Sequence, residues 1–205
     1  MGKGILVSLL GTTNIGKTTQ ANLLIRAISK FSKIKTSWKM KATKVKYPVY
    51  DILPSGKRIN DYLRNKNPER LTSIQFQELN VMNKVQFQPQ LLRLLNENDV
   101  VVAEMYTGTS IAYGMGDGID KQTLIMINTG LLQPGLSILL DGQRFKESIE
   151  KGHIYEEDDE KTEKIRRAHL ELAQDFGWYI VNANRTQDEV HDDIFEIVYG
   201  ALMEL

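Results

Sequence analysis

Ile5-Leu6-Val7-Ser8-Leu9-Leu10 is an almost unbroken apolar run that halts at Gly11, the pattern of a strand covered on both faces in a parallel sheet. The same pattern returns at Val100 to Ala103, Leu136 to Leu140 and Trp178 to Val181, each short and followed at once by polar or acidic residues. Between Lys35 and Tyr47 the chain is lysine-rich and weakly alternating, with Ile34, Thr36, Trp38 and Met40 on one side. That suits an edge strand protected by charge. The intervening segments change period. Leu23, Leu24, Ala27, Ile28 and Phe31 make one helical stripe, and Ile165, Ala168, Leu172, Ala173 and Phe176 another. From Thr72 to Asn96 the apolar positions Leu79, Met82, Val85, Leu92 and Leu95 predict the longest helix, with a kink at Pro89. Strands alternating with helices predict an α/β fold with a parallel sheet, helices on both faces and ligands at the carboxyl ends of the strands.

Composition narrows this modestly. A chain of 205 residues with 41% apolar and 25% charged content supports one well-buried core, so one domain over residues 1–205 is expected. Lys and Arg balance Asp and Glu at 26 each, so no overall field favours nucleic acid or an anionic membrane over a small ligand. With no cysteine there is no disulfide, thiolate metal site or thiol nucleophile. The first apolar run is too short for a signal core or a membrane span, and Leu6 stands where a myristoylation signal wants Ser or Thr. A cytoplasmic protein is expected.

The candidate chemistry begins at Gly11-Thr12-Thr13-Asn14-Ile15-Gly16-Lys17-Thr18, a full match to the G-x-x-x-x-G-K-[ST] phosphate loop between a predicted strand and a predicted helix. The glycines let backbone N–H groups curl around phosphates, and the helix N-terminus adds its positive dipole end. Lys17 brings a point charge, expected to be solvated and to face the transferring phosphate. Thr18 offers a hydroxyl to Mg2+, and Thr19 completes the binding set. ATP is the expected nucleotide.

The order of other landmarks identifies the loop's relatives. Gly11 to Leu24 resembles the opening of the thymidylate kinases. Lys46-Tyr47-Pro48 is similar to that family's Arg-Phe-Pro step, Asn83-Lys84 to its Asn-Arg in a long helix, and Glu104-Met105-Tyr106 to its Asp-Arg-Tyr. Thr109 to Tyr113 resembles its Ser-x-x-Ala-Tyr run, and His153 to Glu156 with Leu170 to Ala173 resembles its lid and following helix. The resemblance implies a five-stranded P-loop kinase fold, a lid over about 143–160, a homodimer joined through a helical face, and transfer of the ATP γ-phosphate to dTMP. It also implies an acceptor site at Tyr47, Pro48, Asn83, Lys84, Tyr106, Thr109 and Tyr113, and an adenine-contacting loop at Asn182 to Asn184. Departures fall on the acceptor side. Met105 and Tyr50 stand where the family has arginines, Asn80 where it has a base-stacking aromatic, and neither Thr13 to Ile15 nor Ile154 is basic.

Glu104, at the end of a buried strand, is a candidate base or Mg2+-organising carboxylate. Arg58 and Arg64, in a helix expected over Gly56 to Arg64, are the candidate replacements for the missing acceptor-phosphate arginines. The acidic run Glu156 to Glu160 reads as a favourable first helical turn rather than a metal site. A deoxynucleoside kinase, which needs no acceptor-phosphate arginine, and an ATP-binding regulator without transfer activity remain alternatives.

Overall fold

The computed structural model describes residues 4–35, 40–145, 154–155 and 158–203, without the side chains of 31–35. Five strands, β1 (Ile5–Leu10), β2 (Ala42–Lys46), β3 (Val100–Glu104), β4 (Leu136–Asp141) and β5 (Tyr179–Asn182), form one sheet in the order β2-β3-β1-β4-β5. Every pairing is parallel. The helices are α1 (Lys17–Lys35), α2 (Ser55–Arg64), α3 (Ser73–Glu97), α4 (Thr107–Gly116), α5 (Lys121–Ile127), α6 (Asp159–Phe176) and α7 (Gln187–Met203).

The strand alternation explains the layers, because successive side chains on a strand face opposite ways. Val7, Leu9, Val100, Val102, Ile138 and Leu140 pack with Leu24, Ile28, Ile194 and Val198 of α1 and α7. On the other face, Leu6, Val101 and Ala103 pack with Leu91 and Leu95 of α3, and Leu10 and Leu139 with Ala173 of α6. Both faces are therefore apolar, which is why β1 reads as a continuous run rather than an alternating one.

The expected elements are present, with local corrections. α1 extends to Lys35, so Ile34 belongs to the helix and the edge strand starts only at Ala42; Thr36 and Trp38 lie outside the described residues. α3 runs unbroken through Pro89 and opens on a capping box, Thr72 with Gln75, which satisfies two orphan N-terminal donors. Val85 and Leu92 of its apolar stripe face outward at 54% and 41% exposure, as does Phe176 of α6 at 50%. Asp158 caps α6, with Asp159 and Glu160 in its first turn, as expected of the acidic run; Glu156 and Glu157 lie outside the described residues. Of the expected lid, only 143–145, 154–155 and 158–160 are described.

Candidate active site

The carboxyl ends of β1 and β3 sit side by side, Leu9 in register with Glu104, and the phosphate loop springs from the first. Gly11 at φ +133 and Gly16 at φ +94 hold backbone conformations that side chains resist. A Cβ on Gly11 would also stand 2.6 Å from the Leu140 carbonyl oxygen. The loop is anchored from both sides. Ile15 drives its side chain into the α1–α7 core, and the Thr13 N–H donates to the Tyr113 hydroxyl at 3.1 Å. Lys17 is not solvated: it is 5% exposed, and its Nζ donates to the Gly11 carbonyl at 3.0 Å and to the Thr12 carbonyl. Thr18 and Thr19, by contrast, are exposed at the start of α1.

Glu104 is fully buried. Its Oε2 accepts from the Thr18 hydroxyl at 2.6 Å, and its Oε1 lies 3.4 Å from Lys44 Nζ. A loop hydroxyl and a strand-end carboxylate are thus brought together over 86 residues of sequence. Both offer hard oxygens, the ligand chemistry of Mg2+. Among the described residues no cluster of three or more His, Asp or Glu that could hold a metal ion is present.

A cavity of about 410 Å³ runs from the loop to a wall made by α2, α3 and α4. Thr13, Asn14, Gly16, Lys17, Thr18 and Thr19 line its loop side, and Tyr47, Pro48, Thr109 and Tyr113 its far side, with Glu104 between. The remaining acceptor-side candidates differ in whether they reach this cavity. Arg58 does not line the cavity: its guanidinium pairs with Glu69 at 2.7 to 3.0 Å, and that hydrogen bonding raises its pKa. Arg64, six residues further and so on a different helical face, does line it, donating to the Tyr50 hydroxyl at 2.9 Å.

Asn83 is fully buried and spent on the backbone, accepting from the Val49 N–H at 2.8 Å and donating to the Val49 carbonyl and Ser55 Oγ at 2.9 Å each. It braces the segment after β2. Tyr106 packs at 5.0 Å against the Tyr47 ring in the α3 core, and burial raises its phenol pKa. It too is absent from the cavity wall. Lys84, 2% exposed, stands behind that wall and donates to Ser110 Oγ at 2.6 Å. Asn184 accepts from the Gln143 N–H at 2.7 Å, tying the loop after β5 to the loop after β4, outside this cavity.

Tyr155 is buried in the cavity wall and donates to Asp117 Oδ2 at 2.5 Å. Burial, then the Asp117 charge, raises its pKa. Phe145, also lining the cavity, donates its N–H to the Asn14 carbonyl at 2.9 Å.

The family model described as thymidylate kinase matches residues 11–194. The chain belongs to the thymidylate kinase family. It is 28% identical to the thymidylate kinase of Dictyostelium discoideum over 200 residues, 95% of this chain and 85% of that protein. The thymidylate kinase of Halothermothrix orenii is 25% identical over 98% of this chain and all of its own. The solved thymidylate kinase of Candida albicans superposes with a TM-score of 0.75 at 25% identity, covering 98% of this chain and 93% of that one. That of Ehrlichia chaffeensis, at 15% identity and a TM-score of 0.72, shares the fold.

Within this thymidylate kinase framework the cavity also holds Phe76, Gln77 and Ser110, which the sequence reading did not single out. Phe76 stacks on Tyr62 at 3.7 Å, so an aromatic lines the far side of the cavity, one helical turn before Asn80. A signal was present. Gln77, Asn80 and Lys84 recur at spacings of three and four on α3, a polar stripe on a helix whose other faces were already assigned.

Proposed function

We propose that this chain transfers the γ-phosphate of ATP to dTMP, giving ADP and dTDP, with Mg2+ as cofactor. The observation that carries this reading is a cavity with the phosphate loop on one wall and Arg64, Phe76 and Tyr113 on the other, so that two phosphorylated ligands would meet between them. An oxygen of the acceptor phosphate attacks the γ-phosphorus while the bond to the β,γ-bridging oxygen breaks. The attacking oxygen is already anionic, so transfer needs no base, and the bridging oxygen leaves as part of ADP. Glu104 therefore serves with Thr18 to hold Mg2+, which when bound neutralises charge on the phosphate oxygens. The loop amides and Lys17 receive the triphosphate, and Arg64 with Lys46, which also lines the cavity, supplies the cationic side of the acceptor phosphate. Tyr47, Pro48, Thr109 and Tyr113 shape the acceptor pocket, and Asn184 and its loop take the adenine side.

We read residues 1–205 as one kinase domain, working on small nucleotides rather than nucleic acid, in the cytoplasm and as a homodimer. No helix among the described residues is long and apolar enough to cross a membrane. An ADP-release assay on the purified protein with dTMP, with thymidine and without acceptor tests the proposal. ADP release that depends on dTMP is the expected result. A preference for thymidine would make the protein a nucleoside kinase, and ATP binding with no transfer to either would make it a regulator.

A further inference from the structure

A second cavity, of about 600 Å³, lies behind α4. Thr107, Gly108 and Ile111 line it, whereas Thr109, Ser110 and Tyr113 line the cavity beside the phosphate loop. At about 3.6 residues per turn these two sets fall on opposite faces of the helix, and the two cavities share no lining residue. The other walls of the second come from the loop between Asn128 and Ser137 and from Phe176 to Tyr179, where α6 gives way to β5.

Its chemistry differs from that of the first. Among the described residues no Lys, Arg, His, Asp or Glu lines it, while Lys17, Lys46, Arg64 and Glu104 line the cavity beside the loop. A phosphate or carboxylate entering the second cavity would lose water and meet no counter-charge. A neutral guest suits it. One wall is aromatic: the Phe176 and Trp178 rings lie nearly parallel, 19° apart in plane and 6.0 Å between centroids, and Phe176 and Tyr179 are 50% and 52% exposed. Trp178 is held against α4, where a Cβ on Gly108 would stand 2.6 Å from its ring. Ring faces set in this way favour a flat guest, which would also take their apolar surface out of water.

The polar point of the cavity is Asn128, 4% exposed. Its Nδ2 donates to the Leu124 carbonyl at 2.8 Å, which fixes the orientation of the amide, and its Oδ1 has no partner among the described residues. A buried carbonyl oxygen calls for a donor.

We propose that this cavity is a second small-molecule site, taking a neutral planar heterocycle that packs on the Phe176 and Tyr179 rings and donates an N–H to Asn128 Oδ1. Its volume falls within the range of about 300 to 1,000 Å³ usual for such sites.

Benzimidazole and 1-methylbenzimidazole are suitable probes, because they differ by that N–H, and a mildly alkaline buffer keeps both rings uncharged. Saturation-transfer NMR titrations of the native protein, with and without excess ADP and dTMP, give their dissociation constants. Benzimidazole should bind at least about tenfold more tightly than its methyl derivative, the size of one hydrogen bond in a buried site, and ADP with dTMP should not displace it. Asn128→Leu removes the acceptor at similar side-chain volume, after which the two probes bind alike. Phe176→Ala and Tyr179→Ala, at half-exposed positions outside the core, should each weaken benzimidazole by about fivefold or more. Equal binding of the two probes to the native protein, as an ordered water on Asn128 would give, overturns the proposal. So does the absence of binding, binding that ADP and dTMP displace, or binding unchanged in both folded aromatic variants. The readout is binding rather than turnover, so the result stands whichever acceptor the protein phosphorylates.

Discussion

Lys17 Nζ is folded onto the Gly11 and Thr12 carbonyls, so the residue that would meet the triphosphate also holds the loop's shape. Lys17→Met should therefore lower turnover by about 10² to 10³-fold, the usual cost of losing one preorganised group at a developing charge, and also lower the melting temperature by a few degrees. Turnover and melting measured together check this; near-native turnover in a folded variant would remove the loop from the reaction. Glu104→Gln keeps an acceptor for Thr18 while losing the charge opposite Lys44. It should cut turnover by about 10²-fold and raise the Mg2+ requirement, with ATP affinity nearly unchanged, because a metal-organising carboxylate acts mainly in the transition state. Titrations of Mg2+ and ATP separate the two effects. Arg64 and Arg58 form an internal control, as only the first lines the cavity. Arg64→Ala should raise KM for dTMP by about tenfold or more and spare ATP, as loss of a charge-assisted phosphate contact does; Arg58→Ala should change neither. Sequence could name both arginines as candidates and could not choose, since the choice is made by helix phase and by Glu69, which sits in the following turn.

At the scale of elements, the segment from Tyr47 to Ser55 is braced by α3, through Asn83 and, beside it, through Gln86, which bonds Ser55 Oγ and the Leu53 carbonyl. Asn83 satisfies both backbone groups of Val49 and also bonds Ser55 Oγ, with Tyr47 and Ser55 themselves buried. Asn83→Ala leaves the half-buried Val49 N–H and carbonyl without their partner, while Ser55 Oγ keeps its bond to Gln86 at 2.5 Å; each unsatisfied polar group costs about 1 to 3 kcal/mol. The expected result is a loss of about 2 kcal/mol in denaturant unfolding together with a raised dTMP KM at unchanged ATP KM. Equal effects on both substrates would show that the brace does not belong to the acceptor side. The central strands were legible because sheets covered on both faces need apolar residues on both sides of the strand, as Ile5 to Leu10 shows, whereas the charged edge strand β2 was not placed correctly. The inner face of α3 left only a polar stripe, which sequence alone could not assign. Its polar positions Gln77, Asn80 and Lys84 break the apolar period that marks a buried face, and only the tertiary placement of α4 opposite them shows that a buried helix face can be polar when it borders a cavity.

For the molecule as a whole, the same helix presents a second face that the monomer leaves uncovered. Val85 and Leu92, seven residues apart on α3, are 54% and 41% exposed, and Leu53 is 71% exposed. Leu53 lies beside them, since Gln86 Nε2 donates to its carbonyl at 3.2 Å. Aliphatic side chains this exposed on one face contribute more once water is removed from them, at about 25 cal/mol per Å² of apolar surface. The homodimer proposed above would cover them through this face of α3, and the two α3 helices would meet about a twofold axis, each donating the same residues. A charge placed at Val85 would then face its own copy across the axis and be desolvated with no counter-ion. Val85→Asp should accordingly shift the protein from dimer to monomer in sedimentation velocity at micromolar concentration, weakening association by at least about tenfold, while the circular dichroism spectrum stays native because the side chain is solvated in the monomer. A native protein that sediments as a monomer, or a Val85→Asp variant that remains a dimer, would move the interface away from α3.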